Sequence, residues 1–230
     1  MKVKTIAHVI YDLDGLLLDT EPIHALMIEK VVSRYGKVFD RTLQSKFSGR
    51  TALDSAKIVV ELLELPITAE VLLEERELFL AQLLPHAQPL PGVVRLIQHL
   101  HQHQIPQAVA SSSSQRSFRL KTQYHQAWFD LFDCIVLGDD PALKRGKPAP
   151  DIFLLAAERL GASPEQCLVF EDSLAGMEAA LAAGMSVVAV PHPDVDRKLY
   201  RQAHQILNSV TEFKPQLWGL PAFVELAEIL

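Results

Sequence analysis

Two aspartates, Asp12 and Asp14, follow an apolar run near the N-terminus, in "VIYDLDGLLLDTEP". Residues two apart in an extended chain point to the same side, so both carboxylates face one spot, and Gly15 lets the backbone turn sharply after them. Two carboxylates this close repel each other unless a cation or a shared proton lies between them. The pair therefore indicates a divalent metal site or a pair with one protonated acid, and a turn or capping pair on a surface loop is the alternative.

Three further groups of polar residues follow apolar runs or precede prolines later in the chain. Ser111 and Ser112 in "AVASSSSQ" supply hydroxyls and backbone N–H groups that bind an anion or cap a helix. Lys147 in "LKRGKPAPD" lies in a proline-stiffened loop and suits a phosphate, with an ordinary surface lysine as the alternative. Glu171 and Asp172 in "LVFEDSLAG" offer the oxygens that Mg²⁺ prefers, or complement the dipole of the next helix. Their order along the chain indicates one shared site.

The elements that must position these residues are short apolar runs separated by helical patterns. Such runs are typical of strands buried on both faces of a parallel sheet, and the alternation predicts an open α/β fold with right-handed crossovers. The predicted strands are Ile6 to Tyr11, Gln107 to Ser111, Cys134 to Leu137, Cys167 to Phe170, Ser186 to Val190 and Gln205 to Leu207. Because ligands of such sheets bind at the carboxyl ends of the strands, we expect the polar groups to meet at that edge.

A long helical interval separates the first two predicted strands. Residues 20–87 are therefore predicted to form a small α-helical cap domain inserted after the first strand, and residues 1–19 and 88–230 to form the α/β core. An insertion at the carboxyl edge of the sheet would cover the site and exclude water from it.

The charge and composition argue against several classes of partner. The chain has 230 residues, of which 49% are hydrophobic, and a formal net charge of −6. An acidic protein has no general attraction to nucleic acid or to an anionic membrane, and no apolar run approaches membrane-spanning length. Cys134 and Cys167 lie in apolar stretches and are predicted to be buried, reduced thiols, so we expect a cytoplasmic protein. No pattern demands a dimer, and we expect a monomer.

The motifs D-x-D-G, a strand-end serine, G-K-P-x-P-D and E-D-S-x-x-G resemble, in this order, those of the haloacid dehalogenase superfamily. The resemblance spans essentially the whole chain. It implies a three-layer, Rossmann-like α/β core with a mostly parallel sheet and a cap of the C1 type. Within the superfamily, "YDLDGLLLDTE", "VLGDDPALKRGKPAPDIFL" and "LNSVTEFKPQLWGLP" resemble the group of pseudouridine 5′-phosphatases and glycerol phosphatases.

The resemblance implies catalytic and metal-binding roles for the acidic residues. Asp12 would attack phosphorus and form an aspartyl-phosphate, and Asp14 would protonate the leaving oxygen and then deprotonate the hydrolytic water. Mg²⁺ would be held by Asp12, Asp172 and the backbone carbonyl of Asp14, and Glu171 would support the metal from nearby.

The resemblance also implies residues that bind the substrate. Ser111, the backbone amide of Ser112 and Lys147 would hold the phosphoryl oxygens. In the cap, His24 and Arg50 are the candidates for binding the non-phosphate end of the substrate. A surface histidine and a solvated arginine are the alternatives for these two.

The predicted function is that of a Mg²⁺-dependent phosphatase acting on a small phosphorylated metabolite, such as a nucleotide-like, glycerol or sugar phosphate. A hexose-phosphate mutase that resembles β-phosphoglucomutase is the alternative, since such mutases also carry a histidine at the cap hinge, where His24 lies. A non-enzymatic module that accepts a phosphoryl group or binds a ligand, with an inactive site, is a third hypothesis. Asp14 argues against it, because a protein that only accepts a phosphoryl group needs no acid for a leaving group.

Two polar patterns have simpler interpretations. Asp19 and Thr20 precede a proline and are predicted to cap the first helix of the cap domain. His99, His101 and His103 are spaced by two on a predicted helix, so they cannot all face one ion. An exposed helix end is therefore predicted for this histidine run.

Overall fold

The core of the protein is built on a sheet of parallel strands. A computed structural model describes residues 5–39, 47 and 49–223. The strands within these ranges are β1 His8–Tyr11, β2 Gln107–Ser111, β3 Cys134–Leu137, β4 Cys167–Glu171, β5 Ser186–Ala189 and β6 Gln205–Ile206. Their order across the sheet is β3-β2-β1-β4-β5-β6. The strand order reverses beside β1, which pairs with both β2 and β4, so a crevice forms there at the carboxyl ends of the strands.

The helices follow the predicted alternation with the strands. The α-helices are α1 Glu21–Val32, α2 Ala52–Leu62, α3 Ala69–Leu83, α4 Val93–Gln102, α5 Gln115–Thr122, α6 Gln126–Phe129, α7 Asp151–Leu160 and α8 Leu174–Ala182. Short 3-10 helices span Ser33–Tyr35, Leu84–His86, Pro164–Gln166, Arg197–Tyr200, Val210–Glu212 and Pro215–Trp218. Thr51 and Thr68 cap α2 and α3 with their hydroxyl oxygens, and Gly161 ends α7 in the left-handed conformation. In the described part of the chain, no helix is both long and apolar enough to cross a membrane.

Alternate residues of the strands bury their side chains on opposite faces of the sheet. On one face, Val9 and Tyr11 belong to a core cluster that includes Ile97 of α4. On the other face, Ile10 belongs to a second cluster with Phe153 of α7 and residues of α8. Burial on both faces explains why the strands are almost continuously apolar, and it confirms the predicted three-layer core.

Helices α1, α2 and α3 lie between β1 and β2 and share a hydrophobic core of their own. Its buried residues include Val31, Val59 and Leu72, one from each helix. The predicted helical insertion after the first strand is therefore confirmed. The division into residues 1–19 and 88–230 on one side and 20–87 on the other stays a prediction.

Three local expectations differ from the structure. Thr20 precedes α1 but makes no capping hydrogen bond with its side chain, because its hydroxyl binds an acidic residue of the site described below. The predicted exposed histidine run is wrong for His99, whose side chain is buried with Nε2 2.8 Å from the carbonyl oxygen of Pro221. Cys167 is buried as predicted, whereas Cys134 is only half-buried.

Candidate active site

Asp12 and Asp14 lie directly after β1, at the crevice where the strand order reverses. The N–H of Asp12 donates to the carbonyl oxygen of Phe170 at 3.0 Å, which extends the pairing of β1 with β4 as far as the first acid. Gly15 adopts a φ of +81°, and a Cβ atom there would lie 2.4 Å from Oδ2 of Asp172. The turn therefore requires glycine, and it brings the acid pair next to the acid that follows β4.

Lys147 binds two buried carboxylates at once. Its Nζ lies 2.5 Å from Oδ1 of Asp12 and 2.5 Å from Oε1 of Glu171. Burial raises the pKa of Asp12 to about 7; the charge of Lys147 opposes this rise, and the charges of Glu171 and Asp14 add to it. Burial alone would lower the pKa of Lys147, but the two carboxylates outweigh it and raise that pKa above its ordinary value. Lys147 is therefore a fixed cation beside Asp12.

Both carboxylate oxygens of Glu171 are engaged by protein donors. Oε1 accepts from Lys147, and Oε2 accepts from both the backbone N–H and the hydroxyl of Ser173, each at 2.8 Å. The Ser173 oxygen in turn accepts from the N–H of Gly176 at 3.0 Å, in the first turn of α8. Glu171 thus joins Lys147 to the start of α8. Its predicted support of a metal stays a prediction.

Asp172 has a carboxylate oxygen that meets no donor among the described residues. Its Oδ1 is buried and accepts no hydrogen bond from the residues that the structure describes. Burial raises the pKa of Asp172 well above its usual range, and the neighbouring carboxylates of Glu171 and Asp12 raise it further. The hydroxyl of Tyr200 donates to the backbone carbonyl of Asp172 at 2.6 Å and so fixes the main chain here. A buried carboxylate oxygen of this kind is costly unless a cation or proton meets it.

The donor set fits Mg²⁺ better than a metal that needs a complete protein cage. Nowhere within residues 5–39, 47 and 49–223 do three or more His, Cys, Asp or Glu side chains cluster as a metal site. Mg²⁺ commonly binds through one or two carboxylates and completes its shell with waters and substrate phosphate. Asp12 and Asp172, together with the backbone carbonyl of Asp14, match that composition.

Asp14 is held by a separate set of donors. Its Oδ1 accepts from Thr20 Oγ1 at 2.7 Å and from Lys121 Nζ at 2.5 Å, and its Oδ2 accepts from Ser113 Oγ at 2.8 Å. His24 Nε2 lies 3.4 Å from Oδ1. Burial raises the pKa of Asp14, but the charge of Lys121 and the contact with His24 outweigh burial and hold that pKa well below its usual range. The two acids of the pair thus have opposite environments, as expected of carboxylates with different roles.

Three of these donors belong to residues that no sequence motif identifies: Lys121, Thr20 and Ser113. The side chain of Lys121, in the last turn of α5, is only 1% exposed, and its Nζ also donates to Ser113 Oγ at 2.6 Å. The one available signal is the spacing of three between Lys121 and Phe118, which places the lysine on the helix face that packs against the core.

The serines at the end of β2 lie between the acid pair and the cap. Ser111 is fully buried, and its Oγ accepts from the N–H of Ser113 at 3.1 Å and lies 3.5 Å from Oδ2 of Asp14. The hydroxyl of Ser112 donates to the backbone carbonyl of Gly49 in the cap at 2.8 Å. Phosphate binding by Ser111 and by the Ser112 amide stays a prediction.

A cavity of about 190 Å³ lies between the acid pair and the cap. Asp12 and Asp14 line it from the core, and His24, Arg50 and Arg76 line it from the cap. The Nε of Arg76 is buried and has no hydrogen-bond partner within the described ranges. The rest of the cap wall is largely apolar and includes Ile28, Val31, Phe47, Val59, Leu72 and Leu73. Two acidic residues of the cap, Glu21 and Glu77, also line the cavity. Arginine donors set in a largely apolar wall suit a small polar or anionic ligand.

The predicted site residues converge at one place. Those of the core lie together at the carboxyl edge of the sheet: Asp12, Asp14, Ser111, Ser112, Lys147, Glu171 and Asp172. The two predicted cap residues, His24 and Arg50, line the facing cavity. The roles assigned to all of them stay predictions.

The chain matches known proteins over most of its length. The sequence model of the haloacid dehalogenase-like hydrolases matches residues 6–184. The (DL)-glycerol-3-phosphatase 2 of Arabidopsis thaliana is 46% identical over 224 residues, which cover 95% of this chain and 93% of the relative. A probable pseudouridine-5′-phosphatase of Drosophila melanogaster is 40% identical over 226 residues, which cover 97% of this chain and 98% of the relative.

A solved structure shares the fold. The β-phosphoglucomutase of Clostridium difficile matches with a TM-score of 0.79 over 92% of this chain and 95% of that chain, at 24% sequence identity. At this identity the match bears on the fold alone. Together the comparisons confirm the predicted superfamily, the predicted fold and the enzyme class of phosphoric monoester hydrolases. The chain belongs to the haloacid dehalogenase-like hydrolase family.

Proposed function

We propose that the protein is a Mg²⁺-dependent phosphatase that hydrolyses a small phosphorylated metabolite through an aspartyl-phosphate on Asp12. The observation that carries the proposal is the separation of the acid pair: Lys147 binds Asp12, whereas Lys121 and hydroxyl donors bind Asp14. Two carboxylates with different partners can perform different chemistry, one as a nucleophile and the other as a proton donor and acceptor.

In the proposed reaction, an oxygen of Asp12 attacks phosphorus and the alcohol leaves. Asp14 gives the leaving oxygen a proton and then takes a proton from the water that cleaves the acyl phosphate, so that free phosphate and unchanged Asp12 result. The donors around Asp14 favour its carboxylate form, which suits the removal of a proton from the hydrolytic water. For the earlier step, in which the alcohol leaves, Asp14 must first be protonated. Lys147, Ser111 and the N–H of Ser112 hold the phosphoryl oxygens and offset the charge of the transition state.

Asp12, Asp172 and the backbone carbonyl of Asp14 would hold Mg²⁺. The buried Oδ1 of Asp172, which has no hydrogen-bond partner in the described part of the chain, supports this assignment. When bound, Mg²⁺ neutralises the acids and draws charge from the phosphoryl oxygens. Lys147 keeps Asp12 oriented through its bonds to Asp12 and Glu171.

The size and polarity of the cavity favour a compact substrate. Its volume is about 190 Å³. Pockets for drug-sized ligands measure roughly 300–1,000 Å³. His24, Arg50 and Arg76 present hydrogen-bond donors to the hydroxyl or anionic groups at the far end of the substrate. Of the substrates that the names of the relatives specify, we propose the smaller kind, a glycerol phosphate, over a pseudouridine phosphate.

The test is release of inorganic phosphate from glycerol 3-phosphate, pseudouridine 5′-phosphate and a set of sugar phosphates, with Mg²⁺ and with EDTA. We expect turnover that requires Mg²⁺ and is fastest on glycerol phosphate. Asp12→Asn should abolish this turnover while the protein stays folded. Wild-type rates in D12N would contradict the role of Asp12 as the nucleophile. A wild-type protein that turns over no substrate of the panel would contradict the proposed phosphatase function.

The cap residues should govern the choice of substrate. We expect His24→Ala and Arg50→Ala to change the ranking of the substrates more than the rate on p-nitrophenyl phosphate, which needs few contacts to the cap. Lys57→Ala is the matched control, because Lys57 is an exposed residue of α2 that does not line the cavity. An unchanged ranking in both variants would remove these residues from the substrate site.

A hexose-phosphate mutase is the alternative function, and the position of His24 favours it. The ring nitrogen lies 3.4 Å from Asp14, where it would orient a second sugar hydroxyl as phosphoryl acceptor. With β-glucose 1-phosphate and glucose 1,6-bisphosphate, a mutase accumulates glucose 6-phosphate, whereas a phosphatase releases free phosphate. The ratio of these products separates the two functions.

A further inference from the structure

Lys121 is a buried lysine to which the proposed reaction assigns no role. Its side chain is 1% exposed, with Nζ 2.5 Å from Oδ1 of Asp14 and 2.6 Å from Oγ of Ser113. Taking an ammonium group out of water is costly unless a carboxylate lies beside it. Asp14 supplies that carboxylate, so the burial of Lys121 and the position of Asp14 depend on each other.

The contacts among Lys121, Ser113 and Asp14 form a closed triangle. Ser113 Oγ accepts from Lys121 and donates to Oδ2 of Asp14 at 2.8 Å, while Lys121 itself binds Oδ1. Both oxygens of Asp14 are thus held, one by the ammonium group and the other by a hydroxyl that the ammonium group orients. A rotation of the carboxylate breaks both bonds.

The backbone that carries Lys121 is itself anchored beside the site. Helix α5 starts directly after the loop that follows β2, and the Oγ of Ser114 caps it by accepting from the N–H of Ser117 at 3.3 Å. Phe118, one turn before the lysine, packs against the core cluster that contains Val9 and Tyr11. The ammonium group is therefore fixed relative to the sheet.

We propose that Lys121 is a positioning residue that fixes the orientation of the Asp14 carboxylate for proton transfer. The inference rests on the proposed function, in which Asp14 moves the protons. Each acid of the pair then has its own lysine, Lys147 for Asp12 and Lys121 for Asp14. A group held in its reactive orientation accelerates the chemical step without binding the substrate more tightly, so Lys121 contributes to kcat and not to KM.

The first test compares Lys121→Met with Thr122→Val, using p-nitrophenyl phosphate with Mg²⁺. Thr122 is the matched control because it is buried in the same helix turn and its hydroxyl donates to the carbonyl oxygen of Phe118 at 2.9 Å, within the helix itself. We expect K121M to lower kcat on the order of 10- to 100-fold with little change in KM, and T122V to change neither. Lys121→Gln keeps a hydrogen-bond donor, so its kcat should lie between those of the wild type and K121M. This variant replaces K121M in the test if K121M does not fold. Wild-type kcat in K121M or K121Q, or a change in KM alone, would overturn the proposal.

The second test is a double-mutant cycle with Asp14→Asn. If Lys121 acts through Asp14, replacing Lys121 should have no further effect on kcat once Asp14 is replaced. The kcat values of D14N and of D14N/K121M should therefore agree within about twofold. A purely structural lysine would lower kcat by the same factor in both backgrounds, and that result would overturn the proposal. p-Nitrophenyl phosphate is chosen because its leaving group departs readily without a proton, which keeps D14N measurable.

A third readout does not depend on turnover. In crystal structures of the wild type and K121M, we expect the carboxylate of Asp14 to leave Ser113 in the variant. A carboxylate that stays in place would overturn the positioning role even if the enzyme is an active phosphatase. A wild-type protein that turns over no phosphate ester, yet shows this displacement, would contradict the proposed function while supporting the control of Asp14 by Lys121.

Discussion

The metal-free protein should become less stable as the pH rises from about 4 to about 7, because of Asp12. This side chain is 5% exposed, and its pKa is raised from 3.8 to about 7. Between these pH values the folded state keeps a proton that the unfolded state has lost, so the free energy of unfolding falls as the pH rises. At about 1.36 kcal/mol per pKa unit, the loss reaches about 4 kcal/mol above pH 7. That is a large part of the roughly 5–15 kcal/mol that stabilises a typical domain.

Urea unfolding in EDTA, followed across this pH range, measures the effect. Asp12→Asn is the matched variant, because it keeps the shape of the side chain and cannot titrate. We expect the unfolding free energy of D12N minus that of the wild type to increase by about 4 kcal/mol across the range. The subtraction removes groups that Asp12 does not perturb, such as His8 and His24, whose pKa values burial lowers and which therefore act in the opposite direction.

Mg²⁺ provides a second arm of the same experiment. A cation that binds the folded state beside ionised Asp12 should restore most of the lost stability of the wild type above pH 7, and much less in D12N. Parallel pH profiles for the wild type and D12N in EDTA would refute the reasoning, because Asp12 would then have the same pKa in the folded and unfolded states.

Two further predictions concern the lysine and the glycine next to the acid pair. Lys147→Met removes the cation bound to Asp12, so kcat on p-nitrophenyl phosphate should fall on the order of 10²–10³-fold. The control is Lys144→Met, because Lys144 is an exposed lysine three residues earlier, and this variant should keep the wild-type kcat. Equal kcat values in the two variants would contradict the role of Lys147. Gly15→Ala places Cβ 2.4 Å from Oδ2 of Asp172. In Gly36→Ala, where φ is +67°, no atom of the described residues lies within 4 Å of the new Cβ. In both variants the left-handed backbone should lower the free energy of unfolding by about 1–2 kcal/mol. Only G15A should lose about 1–3 kcal/mol more, because the new Cβ overpacks the site. Equal midpoints of urea unfolding for the two variants would argue against this contact.

The strands and the acid pair could be predicted from the sequence because both leave local patterns. A strand buried on both faces must be apolar at every position, as in "AVA" of β2 and "LVF" of β4. Charged residues that end such runs are conspicuous, and parallel strands bring their carboxyl ends to one edge. Asp12, Lys147 and Glu171 therefore meet, although Asp12 and Lys147 are 135 positions apart in the chain.

The partners of Asp14 could not be predicted, because they are selected by tertiary contacts. Lys121 is a lysine in a polar helix, and only the carboxylate that reaches it from 107 positions earlier makes its burial favourable. Thr20 has the residue type and position of a helix cap, but Asp14 competes successfully for its hydroxyl. His99 is likewise buried by a contact with Pro221, 122 positions later.

The double attachment of Glu171 has an evolutionary consequence. One carboxylate satisfies donors from Lys147 on one side and from Ser173 on the other. A lineage that replaces Lys147 first leaves the buried negative charge of Glu171 without its cation. A lineage that replaces Glu171 first leaves the ammonium group of Lys147 less well neutralised and leaves unsatisfied donors at the start of α8. Substitutions at positions 147 and 171 should therefore show strong epistasis in the free energy of unfolding, so that replacing both residues costs less stability than the two single replacements together predict.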